Sequence, residues 1–326
     1  MFLKGRDPNQ GGPLSKSGLT REKGNSLRVG GQAVIEGVMM RSPRSMAIAV
    51  RRPNGEIVVK KEGLRYFSEK SLIYKIPLIR GVWILVSALV LGIRALNFSA
   101  QQAISETEGE KEIHPWTIGI TFFLAIGFGL FLFFLVPLFM TRWVRGVFPV
   151  LAESGFLFNL TDGIIRMIIF LGYLWIISLI HEIRRVFQYH GAEHKSIFAF
   201  ESGEALEIDR VKRFGTLHPR CGTSFLLMVM VVSILIFSLL PHHLPFEYKV
   251  ASRMAFLPLI AGVSYEIIRF SDQRRQSPGI QVFIKPGLWL QRLTAREPSD
   301  PQIEVAICAL RAVLELEGGK IREHHV

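Results

Sequence analysis

The segment at 117–140 constrains the fold more than any other part of this sequence, because its 24 positions include no charged residue. An α-helix rises ~1.5 Å per residue, so about 20 apolar residues cross a ~30 Å hydrocarbon core. In lipid, every backbone polar group must be satisfied within the segment itself, which favours a helix. The sequence therefore predicts an α-helical integral membrane protein.

Four further apolar stretches accompany this one. They lie at 76–98, 164–180, 223–240 and 255–270. Arg80 and Arg94 interrupt the first, and Pro77 precedes them. We interpret 76–98 as an amphipathic helix that lies in the interface or against other helices, and the remaining stretches as about four membrane spans.

The distribution of basic residues supports this division. The segment at 182–222 carries seven of them: Arg184, Arg185, Lys195, Arg210, Lys212, Arg213 and Arg220. The positive-inside rule places that segment and the basic N-terminal arm in the cytoplasm, which requires 76–98 not to cross. Both termini are then predicted to be cytoplasmic. This topology leaves Arg142 and Arg145 outside and the acidic residues of 106–112 inside, which the rule does not favour.

Composition indicates aqueous parts beside the membrane bundle. Hydrophobic residues make up 49% of the chain, yet 20% of it is charged and the net charge is +12. The excess positive charge flanks apolar runs, as in cytoplasmic loops beside anionic lipid, so the bilayer is the expected partner and no nucleic acid is expected. Two cysteines, Cys221 and Cys308, provide no disulfide framework and favour a reducing compartment.

Five regions follow from these patterns. Asn54-Gly55 between two β-prone runs predicts a hairpin, and Trp289 in an apolar run predicts an interfacial anchor. The predicted regions are a disordered basic tail at 1–27, a small β module at 28–66, an interfacial helix with an acidic linker at 67–116, a transmembrane bundle at 117–270 with a His-rich loop at 182–222, and a cytoplasmic segment at 271–326 with an amphipathic helix at 301–317.

His190, Glu193 and His194 form a His-x-x-Glu-His motif. On a helix, histidines at i and i+4 share one face. Two neutral imidazoles at that spacing can bind a divalent metal such as Zn²⁺, while a nearby carboxylate acts as a general base towards a metal-bound water. This is the arrangement of the inverted zinc-peptidase motif. A helix surface that is merely polar would carry the same residues.

A second cluster, His218 and Cys221, closes the same loop directly before the next apolar stretch. Because both ends of the loop meet one membrane face, the two clusters can converge. We predict zinc ligands at His190, His194, His218 and Cys221, and catalysis by Glu193. Glu36 in the β module and Glu266 in the last apolar stretch are possible additional site residues, since a carboxylate within a membrane requires a partner.

Four sequence blocks carry a resemblance. They lie at 30–41, 189–195, 218–223 and 286–298. Together they resemble the YqhQ-like family of bacterial membrane proteins of unknown function, over roughly residues 29–314. The resemblance implies a predicted metal-dependent enzyme in the bacterial cytoplasmic membrane, and it favours Glu36 and Cys221 as site residues because they belong to the shared blocks.

Two classes of function remain open. In the first, the chain is a membrane-bound metal-dependent hydrolase with an open coordination position. In the second, the same side chains form a closed structural metal site or a polar network in a membrane scaffold, transporter or assembly factor. No Ser-His-Asp order, phosphate-binding glycine loop or nucleotide fingerprint is present, so kinase, NTPase and serine-hydrolase functions are disfavoured.

Overall fold

The computed structural model describes residues 27–64, 76–104, 115–148, 150, 154–240, 245–274 and 277–318. The predicted disordered tail, except Leu27, and the acidic part of the predicted linker lie outside these ranges.

A four-stranded antiparallel sheet forms the N-terminal module. Its strands, paired in chain order, are β1 (Gly30–Val34), β2 (Gly37–Arg41), β3 (Ser45–Arg51) and β4 (Ile57–Gly63). The hairpin predicted at Asn54-Gly55 is confirmed, because β3 pairs with β4 across it and Gly55 has a φ of 89°. Glycine reaches this left-handed conformation without the steric cost that a Cβ imposes.

The first apolar run of the module is a hairpin instead of a continuous strand. Glu36 has a φ of 50° and lies in the turn between β1 and β2. A Cβ on Gly37 would lie 2.3 Å from the carbonyl oxygen of Ala49, so the strand pair accepts only glycine there. Glu36 is therefore a turn residue and not part of a strand.

Ten α-helices occur in the described residues. They are α1 (Ile79–Ile104), α2 (Pro115–Leu130), α3 (Val136–Val147), α4 (Gly155–Ile177), α5 (His181–Glu201), α6 (Ile208–Val211), α7 (Gly222–Ser238), α8 (Phe246–Gln273), α9 (Pro278–Thr294) and α10 (Asp300–Leu316), with a π-helical turn at Phe131–Leu135 between α2 and α3. Helix α10 matches the helix predicted at 301–317, and a capping box of Ser299 and Gln302 fixes its start.

The sheet is covered by helices on both faces. On one face, Leu91 and Ala95 of α1 pack against apolar residues of the strands such as Met39 and Ile48. On the other, α5 and α10 pack together over a larger core. Its members include Met40, Ala47, Tyr189, Ile197, Ile303, Leu310 and Val313. Burial of these two apolar faces is the main force that holds the module together.

The end of α10 is tied to the β2–β3 turn through Glu317. Ser42 and Ser45 donate hydrogen bonds of 2.6 and 2.9 Å to its Oε1, and Arg44 forms an ion pair of 3.1 Å with Oε2. Burial alone would raise the pKa of Glu317, but the two hydroxyl donors and the Arg44 charge outweigh it and lower the pKa below its usual value.

Four helical stretches in the described residues are long and apolar enough to cross a membrane. They are Ile79–Ala103, Gly119–Val147, Gly155–Ile177 and Glu247–Gln273. The set differs from the predicted one. Helix α1 qualifies by length and composition, although its residues from Leu91 onwards contact the sheet, whereas α7 has only 17 residues. That α1 does not cross therefore stays a prediction, as does the orientation of the termini.

The segment predicted as a His-rich loop, 182–222, is largely helical. Helix α4 ends at Ile177, and α5 begins at His181 as a separate helix. Its side from Tyr189 to Ala199 is mostly buried, because it packs against the sheet and α10. The histidines therefore lie on a helix that is fixed in the core of the N-terminal module, and that helix does not continue from α4.

A buried cluster of charges joins α4 to α8. Asp162 accepts hydrogen bonds from Arg166 at 2.8 Å and from Arg253 at 3.0 Å, and all three side chains are buried. The two guanidinium groups lie 5.1 and 5.2 Å from the ring centre of Phe237, as in cation–π pairs. One carboxylate thus holds two arginines inside an apolar bundle, where removal of that carboxylate is costly.

Candidate metal centre

Three side chains converge between α5 and the start of α7. His190, His194 and Cys221 each present one potential ligand atom, and these atoms all lie within 4.8 Å of one another. His190 Nε2 lies 3.1 Å from Cys221 Sγ. The predicted convergence of the two sequence clusters is thus present for His190 and His194 of the first cluster and for Cys221 of the second.

Backbone carbonyl groups fix the orientation of both imidazoles. His190 Nδ1 lies 2.7 Å from the carbonyl oxygen of Thr294, and His194 Nδ1 contacts the carbonyl oxygen of Thr216. A carbonyl oxygen only accepts, so each Nδ1 carries the hydrogen and each Nε2 keeps its lone pair. Burial lowers the pKa of His194, which favours the neutral form. This is the arrangement of histidines that bind metals through Nε2.

Cys221 occupies the N-cap of α7. The backbone N–H of Thr223 donates to its Sγ at 3.4 Å, and the hydroxyl of Thr223 lies 3.1 Å from it. A helix N-terminus stabilises nearby negative charge, such as that of a thiolate ligand. The start of α7 therefore suits Cys221 to cation binding.

Glu193 lies between the imidazoles and strand β1. Its Oε2 is 3.8 Å from His190 Nε2 and 3.7 Å from His194 Nε2, and its side chain is only 6% exposed. Burial raises its pKa, while the charges of His190 and His218 and the backbone N–H of Gly31 partly oppose that rise. A Cβ on Gly31 would lie 2.9 Å from Oε1, so glycine permits the close approach of β1. The carboxylate thus has one oxygen towards Gly31 and the other towards the histidines.

His218 lies beside this group. Its ring centre is 5.5 Å from that of His194 and 4.5 Å from that of Phe198. The fully buried side chain of Gln291 holds its backbone, accepting from the His218 N–H at 2.7 Å and donating to the carbonyl oxygen at 2.8 Å. The structure therefore places His218 next to the three converging ligands but not within their group.

The two additional carboxylate candidates pair elsewhere. Both oxygens of Glu36 accept from Arg185, with one bond of 2.6 Å, and Tyr189 donates to Oε2 at 3.3 Å. Glu266 pairs with Arg80 of α1 in the same two-pronged way, with one bond of 2.6 Å, instead of with Arg269 on its own helix. Neither joins the His/Cys group. Glu36 instead holds α5 to the β1–β2 turn. One of its two partners on α5, Tyr189, directly precedes His190.

Sequence reasoning missed four supporting residues. Gly31 and Gln291 lie in blocks that the resemblance singled out, but neither has ionisable chemistry that would distinguish it. Thr216 and Thr294 contribute only carbonyl groups, which every residue possesses, so no sequence signal could have identified them.

A cavity of about 780 Å³ adjoins the group. His190, Glu193, His194 and Cys221 all contribute to its wall. The candidate ligands are therefore buried or half-buried and adjoin a cavity large enough for a small molecule.

The fold and this geometry define a class of protein. It is a mainly helical protein with membrane-span candidates, a small sheet module, and a His/His/Cys group between two helices. The chain belongs to a family described as a protein of unknown function, DUF1385, whose model matches residues 76–316. It is 34% identical over 299 residues to a Bacillus subtilis (strain 168) protein called "Uncharacterized protein YqhQ", covering 88% of this chain and 92% of that protein. No solved structure matches the chain.

Proposed function

We propose that this protein is a membrane-bound, zinc-dependent hydrolase whose site lies at the cytoplasmic face of the bacterial inner membrane. The observation that carries the proposal is the convergence of His190, His194 and Cys221 beside a buried carboxylate and a cavity. Zinc, when bound, would supply Lewis-acid chemistry at neutral pH.

The donor set fits this metal. Two imidazole nitrogens and one thiolate are typical zinc ligands, with bonds of ~2.0–2.3 Å, so ligand atoms of one tetrahedral site lie about 3.3–3.8 Å apart. The three atoms here lie within 4.8 Å of one another, so a small movement of side chains suffices. The carbonyl groups of Thr294 and Thr216 already hold each Nε2 ready to donate its lone pair. Three protein ligands leave a fourth position open, as in catalytic zinc sites.

Glu193 is the proton acceptor in this proposal. Its Oε2 faces both imidazoles at 3.7–3.8 Å, and the backbone of Gly31 restrains the other end of the carboxylate. A water molecule in the adjoining cavity that donates a hydrogen bond to Oε2 would lose its proton to that oxygen as it attacks the substrate. The glutamate then returns the proton to the leaving group.

The same distances favour a second candidate function. If Glu193 Oε2 is itself the fourth ligand, the site is closed, and the metal stabilises the junction between α5, α7 and strand β1. The protein would then be a membrane scaffold, transporter or assembly factor with a structural metal.

Metal content tests the shared part of both candidates. We would purify the full chain in mild detergent, load it with zinc and quantify the bound metal in the wild type and in His190→Ala, His194→Ala and Cys221→Ala. We expect one equivalent in the wild type and a loss of affinity in each variant. His181→Ala is the matched control, since His181 is an exposed histidine on the same helix. Less than about one tenth of an equivalent in the wild type overturns the metal proposal.

Glu193→Gln separates the two candidates. For the hydrolase, the variant keeps its metal, and cobalt substituted for zinc retains an exchangeable water that responds to added anions. For the closed site, the variant binds metal about 10- to 100-fold more weakly, as expected when a ligand or its close partner is lost. A wild-type cobalt spectrum that is insensitive to anions and to pH excludes the open position and with it the hydrolase.

A further inference from the structure

The cavity beside the His/Cys group carries an unusual amount of positive charge. Five arginines contribute to its wall: Arg28, Arg41, Arg80, Arg220 and Arg269. Among the residues that the structure describes, Glu193 is the one carboxylate that lines this cavity. The lining therefore favours an anionic ligand.

Two of these arginines are already neutralised. Arg80 pairs with Glu266, and Arg220 pairs with Glu201. Arg28 and Arg269, in contrast, form no ion pair within 4.0 Å with any residue that the structure describes, although the charge of Arg269 also acts on Glu266 of the same helix. Arg28 lies just before strand β1, and Arg269 lies 241 positions later on helix α8. Both nevertheless line the same cavity. Two guanidinium groups that are not held in a direct ion pair match the two negative charges of a phosphate monoester better than the single charge of a carboxylate.

One part of the cavity wall is apolar. Ile84, Leu85 and Ala88 of α1 face Phe225 of α7 and Ile268 of α8 across it. This part of the wall offers no hydrogen-bond partner to a ligand and suits a hydrocarbon chain.

Leu85 connects this apolar wall with the outer surface of α1. It lines the cavity and is still 38% exposed, and its neighbours Val86, Leu89 and Val90 are 42–60% exposed. Exposed aliphatic side chains along one of the membrane-span candidates are expected to face lipid. The α1 side of the cavity thus adjoins the surface expected to face lipid, so a hydrocarbon chain can extend from the bilayer along α1 into the cavity.

From this combination we infer that the cavity binds a lipid with a phosphate headgroup, its phosphate at Arg28 and Arg269 and its chain along Leu85 and Ala88. The inference rests on the proposed function, because it names the substrate class of the same site. The headgroup end of the ligand then lies in the same cavity that Glu193 and the His/Cys group line.

Calorimetric titration of the full chain in detergent micelles tests this. The probe is dihexanoyl phosphatidic acid. Dihexanoylglycerol lacks its phosphate, inorganic phosphate lacks its chains, and hexanoate replaces phosphate with carboxylate. We expect only the first to bind appreciably. Inorganic phosphate that binds as tightly as the phosphatidic acid would indicate a simple anion site. Dihexanoylglycerol or hexanoate that binds as tightly would mean that the arginines do not select a phosphate group. Each of these results overturns the inference.

Substitutions locate the binding site. Arg269→Gln and Arg28→Gln should each weaken binding of the phosphatidic acid about tenfold or more, as expected for a lost charge-assisted contact. Arg274→Gln is the matched control, because Arg274 is an exposed arginine directly after α8 and does not line the cavity. Equal effects at Arg274 and Arg269 would reduce the binding to general attraction between charges. Arg28 is exposed, so its variant remains informative if Arg269→Gln does not fold.

Zinc content separates this inference from the proposed function. Lipid binding is measured on chelator-treated protein, and zinc is quantified in Arg269→Gln. Zinc retention without lipid binding overturns the inference alone. Lipid binding by a protein that never retains zinc overturns the hydrolase and leaves the lipid site intact.

Discussion

Gly191, one residue after His190, gives the sharpest test of how the site is built. A Cβ at this position would lie 1.9 Å from the carbonyl oxygen of Arg296 and 3.3 Å from Cγ2 of Thr216. The Arg296 backbone cannot move freely, since its N–H donates to the carbonyl oxygen of Phe187 at 2.9 Å. Gly191→Ala must therefore push α5 and the segment after α9 apart.

The size of the movement follows from the contact. Real Cβ atoms essentially never approach other atoms closer than 3.0 Å, so the two backbones must separate by about 1 Å. A shift of this size stretches the 2.7 Å bond between His190 Nδ1 and the carbonyl oxygen of Thr294 beyond hydrogen-bonding distance. Overpacking and the lost bond together cost about 2–4 kcal/mol. Alanine is the better helix former by about 1 kcal/mol, which leaves a net destabilisation of about 1–3 kcal/mol.

Two measurements check this result. Thermal unfolding in detergent should show a melting temperature lower by about 2–6 °C for a chain of this size. Competition with a chromophoric chelator should show zinc affinity reduced about 10- to 100-fold, because the imidazole loses its orienting partner. Gly172→Ala is the control, since Gly172 lies in helix α4 and a Cβ there meets nothing within 4 Å. A Gly191→Ala protein as stable as Gly172→Ala, with unchanged zinc affinity, would refute the reasoning.

Three further outcomes are expected. Asp162→Asn should lower the melting temperature strongly, by the equivalent of about 3–5 kcal/mol, because it leaves the charges of Arg166 and Arg253 buried without a full counter-charge. Glu317→Gln should destabilise the protein at neutral pH, and the difference from wild type should vanish as pH falls. The pKa of Glu317 is lowered in the folded state, so its contribution is present above the unfolded pKa of about 4.3 and is lost below it. Zinc should slow the reaction of Cys221 with a thiol reagent.

Matched variants make these outcomes decisive. Asp209→Asn and Glu315→Gln alter exposed carboxylates and should leave melting nearly unchanged. Melting curves between pH 3 and pH 7 that keep a constant gap between Glu317→Gln and wild type would contradict the role given to Glu317. The thiol experiment uses a Cys308→Ser background, and equal rates with and without zinc would remove Cys221 from the ligand set.

Much of the architecture follows from the periodicity of the sequence. Helix α10 shows its apolar side at helical spacing, and Gly55 supplies the left-handed backbone conformation of the turn, so both elements could be predicted locally. Helix α5 could not, because its inward side is mixed: Glu193, His194 and Lys195 are buried there beside apolar residues. The spacing of apolar residues reveals a buried helix face only when that face is apolar, so it does not reveal a face that packs polar side chains.

The site divides in the same way. The sequence by itself determined that His190 and His194 share one face if their segment is helical, because the repeat of the helix fixes that spacing. It also determined that an apolar stretch of 24 residues needs a helix in lipid. Only the tertiary structure decided that Cys221 joins the histidines while His218 lies beside them, and that Glu36 and Glu266 pair with Arg185 and Arg80. These partners are brought together by the packing of α5 and α7 with the sheet and of α1 with α8. A distance between residues far apart in the chain depends on that packing and on no local pattern.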